Sequence, residues 1–114
     1  MERCIFCRIL ARQTPAKIVF EDDSVFAVED INPQSPVHLL VIPREHLVSL
    51  KDAAADREGL LGHLLAVAAK LARERRIESD GYRLVINTGA LGGQSVFHLH
   101  VHVMGGRMFH WPPG

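Results

Sequence analysis

The sequence predicts an α+β domain, a mostly antiparallel sheet of about five strands with one long and one short helix. Three observations predict it. Five short β-rich runs are parted by turn-forming residues, only one stretch keeps helical spacing for long, and no repeat or linker interrupts them. At 114 residues the chain reads as a single domain over residues 1–114, large enough to bury a core without disulfide staples.

The elements follow in order. Ile5 to Ala11 reads as a short helix, ended by Gln13-Thr14-Pro15. Lys17 to Glu21 and Val25 to Glu29 form a hairpin through Asp22-Asp23-Ser24. Asp30 to Pro36 holds two prolines and no periodicity, so it is a loop. His38 to Ile42 is a buried strand, stopped by Pro43. From about Asp56 to Arg76, Leu60, Leu61, Leu64, Leu65, Ala68, Leu71 and Ala72 recur at helical spacing, giving one long amphipathic helix. Asp52 or Asp56 is available to cap its start, and His63 on its polar side reads as solvated. Asp80-Gly81 turns the chain into a strand over Tyr82 to Asn87. Thr88 to Ser95 is a glycine-rich loop, and a last strand follows before the tail Gly105 to Gly114.

Thirteen Lys and Arg balance thirteen Asp and Glu, so the formal charge is zero. Binding a nucleic-acid polymer draws on concentrated positive charge, so no such partner is expected. Charges occupy the N-terminus where a signal peptide needs an apolar run, and no stretch approaches a membrane span. The expectation is a cytoplasmic protein with no membrane partner. Cys4 and Cys7, spaced Cys-x-x-Cys, then point to metal or thiol chemistry over a structural disulfide.

His98, His100 and His102 alternate with Leu99, Val101 and Val103. On a strand this lines three imidazoles along one face, about 7 Å apart, and turns the apolar residues to the other. The spacing by itself suits metal ligation and phosphate chemistry equally, since imidazole is a metal ligand and also a nucleophile, acid or base near neutral pH. Gly92-Gly93 in front would let backbone N–H groups turn toward an anion, and Ser95 adds a hydroxyl. That context favours an oxyanion, with the middle histidine placed to attack a phosphorus centre. Arg107 is the nearest cation in sequence, so one reacting phosphoryl group is expected rather than a polyphosphate.

The run Gly-Gly-Gln-Ser-Val-Phe-His-Leu-His-Val-His-Val-Met resembles the signature of the histidine-triad (HIT) superfamily of nucleotide hydrolases and transferases. Asp30-Ile31-Asn32-Pro33, His38-Leu39-Leu40-Val41-Ile42-Pro43, Asn87 and the terminal His110-Trp111-Pro112-Pro113-Gly114 are similar to its histidine-triad nucleotide-binding (HINT) branch, in order along the whole chain. The transferase branch that carries Gln at the third triad position is disfavoured by His102.

The resemblance implies a HIT-like fold in a homodimer whose two sheets join. It also implies cleavage of purine nucleoside 5′-phosphoramidates of adenosine or guanosine type. By that resemblance His100 attacks the α-phosphorus, His98 orients its ring, and His102 and Ser95 bind nonbridging oxygens near the Gly93 and Gln94 backbone. His38 supports the triad, Asp30 holds the ribose hydroxyls, Ile31 lines the base pocket, and Asn87 contacts the sugar–phosphate side. Trp111 reaches the partner subunit's site. No cofactor is needed for catalysis. Bacterial relatives with the cysteine pair often bind a structural zinc, so the resemblance implies a zinc site whose ligands here would be Cys4, Cys7, His46 and His98. Without zinc, the two cysteines read as small buried hydrophobes. Competing functions are a dinucleoside polyphosphate hydrolase or nucleotidyltransferase of the same superfamily, a nucleotide-binding scaffold with little turnover, and a metal-dependent hydrolase.

Overall fold

Alternation along the central strands divides the apolar residues between two faces of one sheet, and the faces are covered unequally. The computed structural model describes residues 3–114. In chain order these form α1 (Ile5–Leu10), β1 (Ile18–Glu21), β2 (Val25–Glu29), β3 (Val37–Pro43), α2 (Leu50–Ala53), α3 (Glu58–Glu74), β4 (Tyr82–Val85) and β5 (Val101–Gly105). The sheet order is β1-β2-β3-β5-β4, antiparallel at every step, which is the five-stranded α+β arrangement expected.

On one face Val25, Ala27, Leu39, Val41, Val101 and Val103 meet the Leu64, Val67, Ala68, Leu71 and Ala72 stripe of α3. On the other, Phe26, Val28, Leu40 and Ile42 meet Phe6 and Ile9 of α1. A helix of seventeen residues covers its face, whereas one of six residues covers only part of its own. His38 and His102 emerge on the partly covered face, paired in register with Met104 and Leu40.

Several elements depart from the sequence reading. Pro43 does not stop β3 but stays in it, opposite Val25 of β2. It does end the pairing with β5 at Val41–Val101, because proline has no N–H to offer across from Leu99. The Leu99 N–H turns to the carbonyl of Leu47 at 2.7 Å, and the Pro43 carbonyl accepts from His98 Nε2. His98 and His100 therefore precede the ladder, and among the three only His102 lies in β5. Leu99, Val101 and Val103 do face the core, as the alternation predicts.

Helix α2 is additional: the N–H and hydroxyl of Ser49 both donate to the Asp52 carboxylate, which thus organises this short helix and not α3. Helix α3 has Arg57 at its N-cap position with no side-chain cap bond, so neither Asp52 nor Asp56 serves there. His63 is not simply solvated. Its Nε2 lies 2.6 Å from the Asp22 carboxylate, which also accepts the N–H groups of Ser24 and Val25 and so ties α3 to the first hairpin.

Candidate active site

Backbone groups decide what each imidazole offers. The N–H of Gln34 donates to His38 Nδ1 at 3.0 Å, so a neutral His38 carries its proton on Nε2. That nitrogen lies 2.9 Å from His102 Nδ1 and 3.4 Å from Asp30 Oδ2. With Nδ1 of His102 accepting, the proton of His102 sits on Nε2. His100 is held the opposite way: its Nδ1 is 2.7 Å from the carbonyl of His98, which only accepts, so Nδ1 is protonated and Nε2 keeps the lone pair. The rings of His100 and His102 are neighbours, with centroids 4.9 Å apart. One side chain thus presents a lone pair beside another that presents an N–H.

Burial pushes all three rings below the ordinary histidine range. His100 is lowered by burial against the hydrogen bond to the His98 carbonyl, which works to raise it. His102 is pushed down to about 4, by burial first and then by the neighbouring His100 and His38. His38 is lowered by burial, partly offset by Asp30. At neutral pH all three are uncharged, which the tautomer assignments require.

His38, His100 and His102 open onto a cavity of about 420 Å³. Asp30, Ile31 and Ser95 share its lining, and Ile5, Phe6 and Ile9 of α1 supply an apolar wall. Among the described residues, no Lys or Arg lines it.

The imidazole of His98 points elsewhere. It has no exposed surface. Its Nε2 donates to the carbonyl of Pro43 at 2.8 Å, and its Nδ1 lies 3.2 Å from Cys4 Sγ and 3.6 Å from Cys7 Sγ. His46 Nδ1 is 3.2 Å from Cys7 Sγ. One donor atom from each of Cys4, Cys7, His46 and His98 falls within 4.8 Å of every other. The Cys7 thiol is raised to about 11, by burial first and then by Cys4.

The HIT domain matches residues 11–109 of this sequence. The chain belongs to the HIT family. It is 50% identical over 113 residues to an uncharacterized HIT-like protein of Synechococcus elongatus, covering 99% of this chain and 98% of that one. The fold superposes on a HIT family hydrolase from Legionella pneumophila with a TM-score of 0.94 and 46% identity, covering 98% of this chain and 100% of that chain. A HIT family hydrolase from Clostridium thermocellum matches with a TM-score of 0.92 and 42% identity, over 96% of each chain.

Within this HIT domain, His38, His100, His102, Asp30, Ile31 and Ser95 are brought to one cavity. Other expected residues are not. The N–H groups of Gly93 and Gln94 donate to the carbonyls of Ala90 at 3.0 Å and Gly89 at 3.1 Å, so they form the turn and not an anion cradle. The Gln94 side chain is buried, accepting from the Gly89 N–H and donating to the Val48 carbonyl. The glycines serve that same turn. Gly93 sits at φ +86°, and a Cβ on Gly92 would fall 2.4 Å from the Thr88 carbonyl oxygen. Asn87 and Trp111 line a separate hollow of about 640 Å³ beside β4.

His98 also corrects the expectation, because its carbonyl and not its ring orients His100. Strand alternation put its ring with the other two, and the end of the ladder at Val101 removes that constraint. Sequence reasoning missed Phe6, which meets the rings of His98 and His100 edge-on. Its place between the two cysteines was the available signal.

Proposed function

We propose that this HIT protein is a nucleotide hydrolase that cleaves the P–N bond of purine nucleoside 5′-phosphoramidates through a nucleotidyl-His100 intermediate. The observation that carries this reading is the pairing of a His100 lone pair with a His102 N–H in one cavity. His100 Nε2 attacks the α-phosphorus, the P–N bond breaks, and the leaving amine takes a proton from solvent water. Water then hydrolyses the phosphorus–imidazole bond and releases the nucleoside monophosphate. The Nε2–H of His102 and the Ser95 hydroxyl bind nonbridging oxygens, where charge builds in the transition state. Asp30 takes the ribose hydroxyls, and Ile31 with the α1 wall receives the purine. The lack of Lys and Arg in the lining, among the described residues, favours one reacting phosphoryl group over a polyphosphate. The likeness to HIT family hydrolases of Legionella and Clostridium supports hydrolysis in general.

The same reading makes the protein a homodimer joined through the free edge strand β4, with Trp111, 83% exposed beside it, reaching the partner subunit's site. Cys4, Cys7, His46 and His98 would hold a zinc ion. The donor set fits: two thiols and two Nδ1 atoms converge, and the His98 Nε2–H on the Pro43 carbonyl sets the ligating tautomer. A closed Cys₂His₂ set supplies structure and leaves no open position for substrate. Among the described residues, no helix is long and apolar enough to cross a membrane.

Incubation with an adenosine 5′-phosphoramidate followed by acid-free quenching and mass spectrometry should find a nucleotidyl adduct on His100. Turnover with the adduct on another residue would overturn the mechanism. The pH profile supplies a second check. The attacking ring must be unprotonated, and burial lowers the pKa of His100, so activity should fall on acidification only below about pH 6.5, the ordinary histidine value. Measured kcat/KM with an acid limb centred above that value would count against a buried, neutral nucleophile.

A further inference from the structure

His98 joins two features that the sequence keeps apart. Its ring is enclosed by Cys4, Cys7 and His46, while its carbonyl accepts the Nδ1 proton of His100 at 2.7 Å. The residue is wholly buried, and a close-packed interior leaves it little room to shift at one end alone. A second link runs through α1. Cys4 Sγ accepts the N–H of Cys7 and so caps that helix. The turn between the cysteines carries Phe6, whose ring centroid lies 5.7 Å from that of His98 and 5.1 Å from that of His100. A helix of six residues has no stability of its own, so its position depends on what its ends hold. A third tie is the Leu99 N–H on the Leu47 carbonyl, beside His46.

We propose that the Cys4–Cys7–His46–His98 cluster is a positioning device for the nucleophile. A metal ion held by these residues fixes the His98 carbonyl on one side of the His100 ring and Phe6 on another. Metal occupancy thereby sets how well His100 is aimed, although none of the four ligating atoms touches the substrate. The ion has its own way in, because Cys4 and His46 line a surface hollow of about 670 Å³ distinct from the histidine cavity. Ile5, Ser95 and Val96 border both spaces. The kinetic part of the proposal rests on the phosphoramidase reading; the position of the ring does not.

The test uses zinc as the probe on the full chain, wild type and His46→Ala, each with zinc and after chelation. Far-UV circular dichroism, metal content and the imidazole NMR signals of His100 are recorded on nucleotide-free protein. Loss of zinc should leave the helical signal in place and shift or broaden the His100 Nδ1–H resonance. It should also lower kcat by about tenfold or more while KM changes less than about threefold, the pattern of a displaced supporting shell. His46→Cys, which keeps four donors, should retain zinc, the resonance and kcat. A metal-free, folded protein with an unchanged His100 resonance and kcat would overturn the proposal. Loss of the whole fold in both metal-free proteins would overturn it too, since the cluster would then be a determinant of folding. Absence of phosphoramidate turnover by the zinc-loaded wild type would sink only the functional reading, because the resonance is read without substrate.

Discussion

His100→Ala should lower turnover of an adenosine 5′-phosphoramidate by about four orders of magnitude or more, the scale seen when a covalent nucleophile is removed. The loss should fall on kcat, since Asp30, Ile31 and Ser95 remain in the cavity to bind nucleotide. His102→Ala should cost less, about 10²- to 10³-fold, as the loss of one transition-state donor does. The order of the two variants is the informative part. The hydrogen-bond pattern gives the lone pair to His100 and the proton to His102, so a larger loss at His102 would mean that the assignment is reversed. The fold should survive His100→Ala. His100 is 8% exposed and lines the cavity, so its deletion opens the buried His98 carbonyl to that space, where water can replace the lost donor. Circular dichroism and steady-state kinetics on the same preparations check both claims.

Phe26→Ala should destabilise the protein by about 3–5 kcal/mol, the range for deleting a fully buried aromatic side chain. Phe26 has no exposed surface and sits in the cluster that joins the sheet to Phe6 and Ile9 of α1. Its loss opens a void that close-packed neighbours fill only in part. The protein's total stability is expected in the ordinary 5–15 kcal/mol range, so this one change removes a large fraction of it. Urea unfolding followed by circular dichroism reads the difference. Leu91→Ala is the control. Leu91 is fully exposed, and its truncation should change stability by less than about 0.5 kcal/mol.

Helix α3 is legible from the helical spacing of its apolar residues, and β2 and β3 from short continuous apolar runs bounded by turn residues. Helix α2 was not, since its four residues carry no periodicity and its start depends on Ser49 meeting Asp52. The loop glycines are ambiguous in the sequence, because glycine permits both an anion cradle and a tight turn, and singly each reads more readily as a turn residue. The hydrogen bonds of Gly93 and Gln94 show that the turn uses those groups. His63 looked solvated from helix periodicity alone, because its partner Asp22 lies far off in the chain.

Three alternating histidines, a fourth at His38, an acidic Asp30 and a Cys-x-x-Cys pair, within a five-stranded α+β frame, are readable from residue order alone. Local periodicity is enough for that, because strand alternation and helix repeat are properties of neighbouring residues. What each ring does follows from contacts made on folding. The proton of His38 is placed by Gln34, that of His102 by His38, and that of His100 by the His98 carbonyl. The ring of His98 is drawn out of the triad by Pro43, Cys4 and Cys7. Such assignments depend on hydrogen-bond partners brought close by folding, and no pattern of adjacent residues contains them.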